Sequence, residues 1–436
     1  MGWQDIYKSR LCTAEEAVKH VKSGDTIWMA HCAGEPPALT DALAADAARL
    51  ENVEIMHGVN FGLGKYGRPE MKGHFRPNLI FLGANLRACV ADGWGDFTPA
   101  FFHEAPILFR SGRLPLDVLM LQVTPPDEHG YCNLGTSVDY TLQGVKSAKT
   151  VIAQVNDQFP YTYGDGFVHV SELDHIVEAS TPMFEIQPPE IGDVERAIGE
   201  HCASLVENES TLQLGIGAIP DAVMLFLKDK KDLGIHSEMI SDGTMALYES
   251  GVITNRKKSM NRDKMTVTFL LGTNKLYKFA DRNPAVEVRP VDYVNHPIVI
   301  SQQSKMVAIN SALQIDIQGQ VNAEAMGLRQ YSGMGGQLDF VRGAGMAEGG
   351  KSIIAMPSVA VKKDGTKISK IVAFLDQGAP VTTSRTDVDY VVTEFGIAPL
   401  KGYSLRQRAK NLIAIAHPEM RDGLAEEFEK RFKTKI

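Results

Sequence analysis

Short apolar, strand-like runs alternate with helix-like stretches from one end of this chain to the other. That alternation restricts the fold to parallel α/β layers, in which each helix returns the chain to start the next strand beside the last. The runs are D-T-I-W-M-A-H-C (25–32), V-E-I-M-H-G-V (53–59), L-I-F-L-G (79–83), L-D-V-L-M-L-Q-V (116–123) and T-V-I-A-Q-V (150–155). Between the first two, A-L-T-D-A-L-A-A-D-A-A-R-L (38–50) carries a helical apolar period behind a proline pair. Proline suits a first helical turn.

The second half repeats the order of the first. G-D-T-I-W-M-A (24–30) is echoed by E-S-T-L-Q-L-G (209–215), and H-G-Y-C-N (129–133) by Q-G-Q-V-N (318–322). A-K-T-V-I-A (148–153) returns as G-K-S-I-I-A (350–355), and D-H-I-V-E (174–178) as D-Y-V-V-T (389–393). Short matches arise by chance, but four in one order point to two related α/β domains. The joint falls in the proline-bearing stretch 180–192, ahead of a helix at 193–207, so the expected domains are 1–185 and 186–436. A cleft between two such domains is a natural ligand site.

Length and composition narrow the class. A chain of 436 residues, 44% apolar and 22% charged, has material for two or three ordinary cores and is not disordered. Its net charge of −8, without any long Lys/Arg block, argues against nucleic acid as a partner. Five scattered cysteines (Cys12, Cys32, Cys89, Cys132, Cys202) lack C-x-x-C spacing and read as reduced thiols, neither a disulfide framework nor a zinc site. The N-terminus is polar within its first turns, and Ile6 breaks the myristoylation pattern. No run of 18 apolar residues occurs. The expectation is a cytoplasmic protein with no membrane partner.

The chemistry concentrates in 211–238. A glycine-rich turn, T-L-Q-L-G-I-G-A-I-P (211–220), is followed about one helix later by G-I-H-S-E-M (234–239). Read as strand, turn, helix, strand, this places Glu238 near a strand's carboxyl end, the rim where open α/β sheets bind ligands. A carboxylate facing backbone N–H groups on glycine turns has the parts for acyl transfer. With a reference pKa of about 4.3 it is ionised at neutral pH, the form a nucleophile needs. Ser241, Asp242 and Gly243 read as the start of a helix closed by Gly251. His236 shares the strand face with Glu238, but no third ligand follows at zinc-like spacing, so no metal site is expected.

Other groups are more ambiguous. In Y-S-G-M-G-G-Q-L-D-F-V-R-G-A-G (331–345), glycines around Met334 suit either a tight loop or an amide-lined cradle for an oxyanion or phosphate. It is not a Walker A loop, and F-G-L-G-K-Y-G (61–67) is too loose for a dinucleotide fingerprint. G-x-S-x-G is absent, and no histidine pairs obviously with a serine or cysteine. His31 and Glu35, just after a strand, either line a pocket or pack in the core. Asn295 offers a side-chain amide to an oxyanion, and Glu394 is another strand-end carboxylate.

A wider set of motifs runs in order along the chain. They are A-H-C-A-G-E-P-P, P-P-D-E-H-G-Y-C-N-L-G, L-Q-L-G-I-G-A-I-P-D-A-V, G-I-H-S-E-M-I-S-D-G, S-G-M-G-G-Q-L-D-F-V-R-G-A, T-T-S-R-T-D-V-D-Y-V-V-T-E-F-G and I-A-H-P-E-M-R. Together, from end to end, they resemble the family I CoA-transferases of the acetyl-CoA hydrolase/transferase group. The resemblance implies two related open α/β domains with mostly parallel sheets, an active site in the interdomain cleft, and a homodimer. It implies that Glu238 is the family's catalytic glutamate, which forms a covalent glutamyl-CoA thioester. The Asn295 side chain and the Gly336 amide would then form an oxyanion hole. Gly215, Ile216 and Gly217 would flank the same carbonyl, with Gln213, His31 and Glu394 near the acyl pocket. Glu35, Met334 and Gly335 complete the expected substrate- and CoA-binding set. Met334 stands where relatives often carry a smaller aliphatic residue, a change of pocket volume rather than of chemistry.

The implied reaction moves CoA from a short-chain acyl-CoA to a carboxylic acid. The expected pair is 4-hydroxybutyrate with acetyl-CoA or butyryl-CoA; coenzyme A is a substrate, and no cofactor is expected. An acyl-CoA hydrolase on the same fold is the alternative. A non-catalytic CoA-binding sensor is more remote, and a sugar-phosphate isomerase weaker still, since no basic phosphate-binding cluster is evident.

Overall fold

The structure, a computed structural model, describes residues 2–436 and divides into two compact units. The first runs to Gln187 and takes in Thr266–Asn295; the second consists of Pro188–Met265 and His296–Ile436. The expected break between 185 and 186 lies beside the first of these crossings. A single cut does not describe the units, because Thr266–Asn295 packs with the first. Its backbone gives the reason. Leu270 N–H donates to Thr136 O, Val138 N–H to Thr268 O, and Val291 N–H to Asp139 O. The strand Val286–Val288 also pairs in parallel with Tyr163–Gly164. A segment whose polar backbone is satisfied on the first unit is held there, whatever its place in the sequence.

The first unit is built on a seven-stranded, all-parallel sheet. Its strands are β1 (Thr26–Met29), β2 (Val53–His57), β3 (Phe75–Leu79), β4 (Asp96–Phe97), β5 (Val118–Val123), β6 (Thr150–Val155) and β7 (His175–Glu178). Their order is β7-β6-β5-β1-β2-β3-β4. β1 and β5 are buried along their whole length, which is why T-I-W-M and V-L-M-L-Q-V read as near-continuous apolar runs. The helix expected at 38–50 is Pro37–Ala45 followed by a 3₁₀ turn, Ala47–Arg49, with Leu39 and Leu43 packed into the core beside Ile27 and Ile55.

One expected strand is displaced. The run at 79–83 lies almost wholly past the end of β3, which is Phe75–Leu79. Pro77 hides β3 from a pattern reading. It is tolerated because β4 pairs only with Asn78 and Leu79, so no ladder bond calls for the N–H that Pro77 lacks.

The second unit carries a six-stranded sheet of β8 (Thr211–Leu214), β9 (Gly234–Ile235), β10 (Met306–Asn310), β11 (Lys351–Ala355), β12 (Tyr390–Thr393) and β13 (Gly396–Pro399). The order is β9-β8-β10-β11-β12-β13, parallel except for β13. The helix expected at 193–207 is Asp193–Ser204, and it packs against the helix Ala218–Leu225. In both sheets the chain starts at an inner strand, builds to one side, then returns to build on the other. The order therefore reverses between β1 and β5 and between β8 and β10, the kind of place where open α/β sheets bind ligands. The four sequence echoes fall on equivalent elements: β1 with β8, β6 with β11, β7 with β12, and Tyr131–Asn133 with Val321–Asn322. No helix among the described residues is long and apolar enough to cross a membrane.

Candidate active site

Glu238 lies at a bend on the carboxyl rim of the second unit's sheet, between β9 and the extended pair Met239–Ile240, and is half-buried. The single strand expected over 234–239 is therefore broken. Ser237 breaks it: its hydroxyl accepts from Leu214 N–H at 3.4 Å and donates to Leu214 O at 3.2 Å, replacing ladder bonds with side-chain ones. The chain leaves the ladder one residue before Glu238 and holds it where β8 gives way to Gly215, Ile216 and Gly217. The helix Asp242–Glu249 follows as expected and stops short of Gly251, although the Ser241 hydroxyl makes no capping bond.

The glycine turn has a conformational requirement of its own. Gly217 caps the helix Ala218–Leu225 at φ 121 and ψ 177, a region essentially closed to other residues. A Cβ there would meet nothing within 4 Å, so the penalty is purely conformational. Gly217→Ala is expected to lower stability by about 1–3 kcal/mol. A lower urea midpoint with an unchanged slope is the readout.

Two further elements meet this rim. Gln213 and Asn310 pair reciprocally across the β8–β10 reversal: Gln213 Nε2 donates to Asn310 Oδ1 at 3.4 Å, and Asn310 Nδ2 to Gln213 Oε1 at 3.1 Å. Gly336 is the N-cap of the helix Gln337–Met346, behind Met334 and Gly335. Gln337 Nε2 donates to Ser311 O at 2.5 Å, which docks that helix start beside the end of β10. A helix start presents N–H groups that have no intrahelical partner. The second unit thus carries Glu238, the 215–217 turn, Gln213 and the 334–336 loop on the carboxyl rim of one sheet.

Glu394 has a different setting. Its oxygens accept from Ser358 N–H at 2.8 Å and Ser358 Oγ at 2.6 Å, a brace between the ends of β11 and β12. Burial pulls the facing Lys370 amine down to about 8, against the attraction of that carboxylate. His236 is buried, with Nδ1 3.4 Å from Gln303 Nε2 and its ring against Phe340. Among the described residues, no group of three or more His, Cys, Asp or Glu gathers to hold a metal ion.

In the first unit, His31 follows β1 at the β1–β5 reversal and is buried among the rings of Phe102, Tyr140 and Phe269. Its Nδ1 lies 3.4 Å from Asp139 Oδ2, which accepts from Ser137 Oγ at 2.6 Å. Asn295 follows the helix Val291–Val294, with its N–H on Val291 O at 2.9 Å, and ends the first unit's second segment.

Glu35 belongs to a buried polar chain. Burial holds His57 down to about 4, so it is neutral. Its Nδ1 lies 2.7 Å from Gly58 O and carries the proton, leaving Nε2 to accept from the Tyr66 hydroxyl at 2.8 Å. That hydroxyl accepts in turn from Asn60 Nδ2. Gly62 N–H then donates to both Asn60 Oδ1 (2.6 Å) and Glu35 Oε2 (2.9 Å). Burial pushes the Glu35 carboxyl up to about 7, although the bonds from Gly62 and Asn60 pull the other way.

A carboxyl whose pKa rises on folding binds its proton more tightly in the native state. It therefore removes stability as pH climbs from its ordinary value of 4.5 through about 7. Glu35→Gln cannot ionise there. Relative to wild type it is expected to gain stability between about pH 5 and pH 8, on the order of 3 kcal/mol in all. Paired melting curves across that range check the sign; a constant difference between the two proteins contradicts it.

Sequence reading passes over Ser237, Asn310 and the His57–Tyr66 pair. Asn310 leaves only a faint trace, a polar amide closing the apolar run M-V-A-I-N (306–310). Ser237 and Tyr66 leave none: Ser237 acts through Leu214, far back in the sequence, and Tyr66 meets His57 and Asn60 only once the chain after β2 has folded back.

Known proteins match the whole chain. Residues 1–185 match the model of the acetyl-CoA hydrolase/transferase N-terminal domain, and residues 272–428 that of the C-terminal domain. The 4-hydroxybutyrate coenzyme A transferase of Clostridium kluyveri is 55% identical over 432 residues, covering 99% of this chain and 100% of that protein. The crystal structure of 4-hydroxybutyrate CoA-transferase from Porphyromonas gingivalis superposes with a TM-score of 0.85 at 42% identity, covering 99% of this chain and 100% of that one. The acetyl-CoA hydrolase of Candida albicans is more distant, 25% identical over 97% of this chain and 90% of its own length.

Proposed function

The chain belongs to the acetyl-CoA hydrolase/transferase family and is a CoA-transferase, and from that premise we propose that Glu238 carries coenzyme A between two short-chain carboxylic acids. The observation that carries this reading is the position of Glu238, at a bend beside the glycine turn on the rim of a parallel sheet. Its carboxylate attacks the thioester carbonyl of an acyl-CoA and expels CoA thiolate, giving an acyl–glutamyl anhydride. The thiolate then attacks the Glu238 carbonyl. The first acid leaves, and a glutamyl-CoA thioester remains. A second carboxylate reverses both steps and departs as the new acyl-CoA, so the kinetics are ping-pong.

Each addition passes through a tetrahedral oxyanion. The Asn295 side-chain amide and the Gly336 N–H are the donors in this reading, with Gly215, Ile216 and Gly217 beside the reacting carbonyl. Gln213, His31, Glu35, Met334, Gly335 and Glu394 shape the substrate and CoA sites, Glu394 through its brace. The thioester is already activated, so the steps need coenzyme A only as a substrate. Excluding water protects the anhydride from hydrolysis.

The substrate pair in this reading is 4-hydroxybutyrate with acetyl-CoA or butyryl-CoA, supported by the relatives that match along the full chain. The reading includes a cytoplasmic homodimer, with a solution mass near twice 47.7 kDa. Product analysis separates transfer from hydrolysis. With acetyl-CoA and 4-hydroxybutyrate, a new CoA ester should form at the rate acetyl-CoA disappears, and only when the acid is present. Free CoA released at the same rate without the acid would make the protein a hydrolase.

A further inference from the structure

We propose that Asn255 and Lys258 clamp the outer edge of β9 and aim Glu238, acting as positioning residues for the covalent step. The proposal rests on Glu238 being the nucleophile.

β9 is the edge strand of its sheet. It pairs inward through Gly234 N–H to Ser210 O at 2.9 Å and His236 N–H to Leu212 O at 3.2 Å. Strand alternation then turns the Ile235 backbone outward, where an edge strand ordinarily meets solvent. Side chains meet it instead. Ile235 N–H donates to Asn255 Oδ1 at 2.9 Å, and Lys258 Nζ donates to Ile235 O at 2.6 Å. The same ammonium reaches Lys264 O at 2.6 Å. Asn255 is 0% exposed and Lys258 only 1%.

The surroundings are fitted to this clamp. A Cβ on Gly234 would lie 2.5 Å from Lys258 Cγ, so the lysine stem passes only because residue 234 is glycine. The N–H groups of Thr254 and Asn255 both donate to Leu233 O at 3.0 Å. Gln303 Oε1 accepts from Ser259 N–H at 3.1 Å and Met260 N–H at 3.3 Å. The loop that holds the strand is itself held.

Lysine is among the residues least often fully buried, and exposed edges are usually protected by charges left in water. Closing a two-residue strand does not call for a buried ammonium. Fixing the chain just before a nucleophile does. A displacement near 1 Å at a reacting group lowers rate by ~10²-fold, and a group bonded in turn to acid and sulfur must serve two geometries.

Lys258→Met keeps the length of the stem and removes the donors. Asn255→Gly removes the acceptor and tolerates the left-handed φ of 59. Both proteins should melt cooperatively, keep KM for acyl-CoA and acid within about threefold, and lose about 10- to 100-fold in kcat. Single-turnover trapping of the Glu238 thioester with borohydride should slow by the same factor. Wild-type kcat in either folded variant, or a change confined to KM, overturns the proposal. If Lys258→Met fails to fold, Asn255→Gly alone decides on the same criteria. Glu238→Gln is run in parallel. If it stays active, the assignment of the nucleophile fails and the clamp falls with it. If it is inactive while the clamp variants run at full rate, only the clamp is wrong.

Discussion

Glu238→Gln is expected to lose CoA transfer by at least ~10³-fold while keeping its fold. Glutamine matches the shape of the half-buried side chain and leaves the Ser237–Leu214 bonds that set the bend untouched. What disappears is the anionic oxygen. An amide does not attack a thioester, and with no anhydride there is no thioester to hand on. Glu238→Asp tests reach instead of charge. It keeps the nucleophile but draws it back by one methylene, and a shift of that size should lower kcat by ~10²-fold. The rate of new acyl-CoA formation measures both, with melting temperatures as the control for folding. Glutamine at 238 exchanging CoA at the wild-type rate would mean that another residue is the nucleophile.

Asn295→Ala should cost about 10²- to 10³-fold in kcat, the usual effect of deleting one donor to a developing oxyanion. The loss should appear in kcat and kcat/KM alike, because the bond strengthens only as the carbonyl becomes tetrahedral. Asn295 is fully buried at the end of a short helix, so a packing effect must be separated from a donor effect. Asn295→Asp makes that separation. It preserves volume but, ionised at neutral pH, has no donor and sets a negative charge against an oxygen that is itself becoming negative. Aspartate should therefore be worse than alanine. If aspartate supports more activity than alanine, the side chain serves packing and the oxyanion is held elsewhere. Steady-state kinetics on the folded variants gives the answer.

Much of this architecture was legible in the sequence because parallel sheets buried on both faces leave apolar runs. β1, β5 and β6 announce themselves in T-I-W-M, V-L-M-L-Q-V and T-V-I-A-Q-V. The duplication was legible for the same reason, since its echoes lie on buried strands whose composition is constrained. β3 was misplaced because Pro77 interrupts a run that pairing nonetheless accepts. The second crossing of the chain was invisible. Whether Thr266–Asn295 belongs with what precedes or follows it depends on partners such as Thr136, Val138 and Asp139, which are far away in sequence.

The candidate site shows the same division. Glycine turns and a strand-end carboxylate can be read directly, so Glu238 and the glycine-rich stretches around 215–217 and 333–336 stand out in the local pattern, whereas the pairing of Asn295 with Gly336 in one oxyanion hole comes only with the resemblance. Glu394 shares the strand-end pattern, yet its oxygens are taken up by Ser358. The clamp residues Asn255 and Lys258 lie in N-R-K-K-S-M, where the fold buries those two and leaves Arg256, Lys257 and Ser259 exposed, a selection that nothing in the local pattern marks.

The transfer mechanism stands or falls on a bond to one side chain. The protein should be incubated with acyl-CoA, reduced with borohydride, digested and examined by mass spectrometry. Glu238 alone should be converted to the alcohol, only when acyl-CoA was present, and not in Glu238→Gln. An unmodified Glu238 peptide from fully active enzyme, or reduction at any other residue, would mean that Glu238 does not carry coenzyme A.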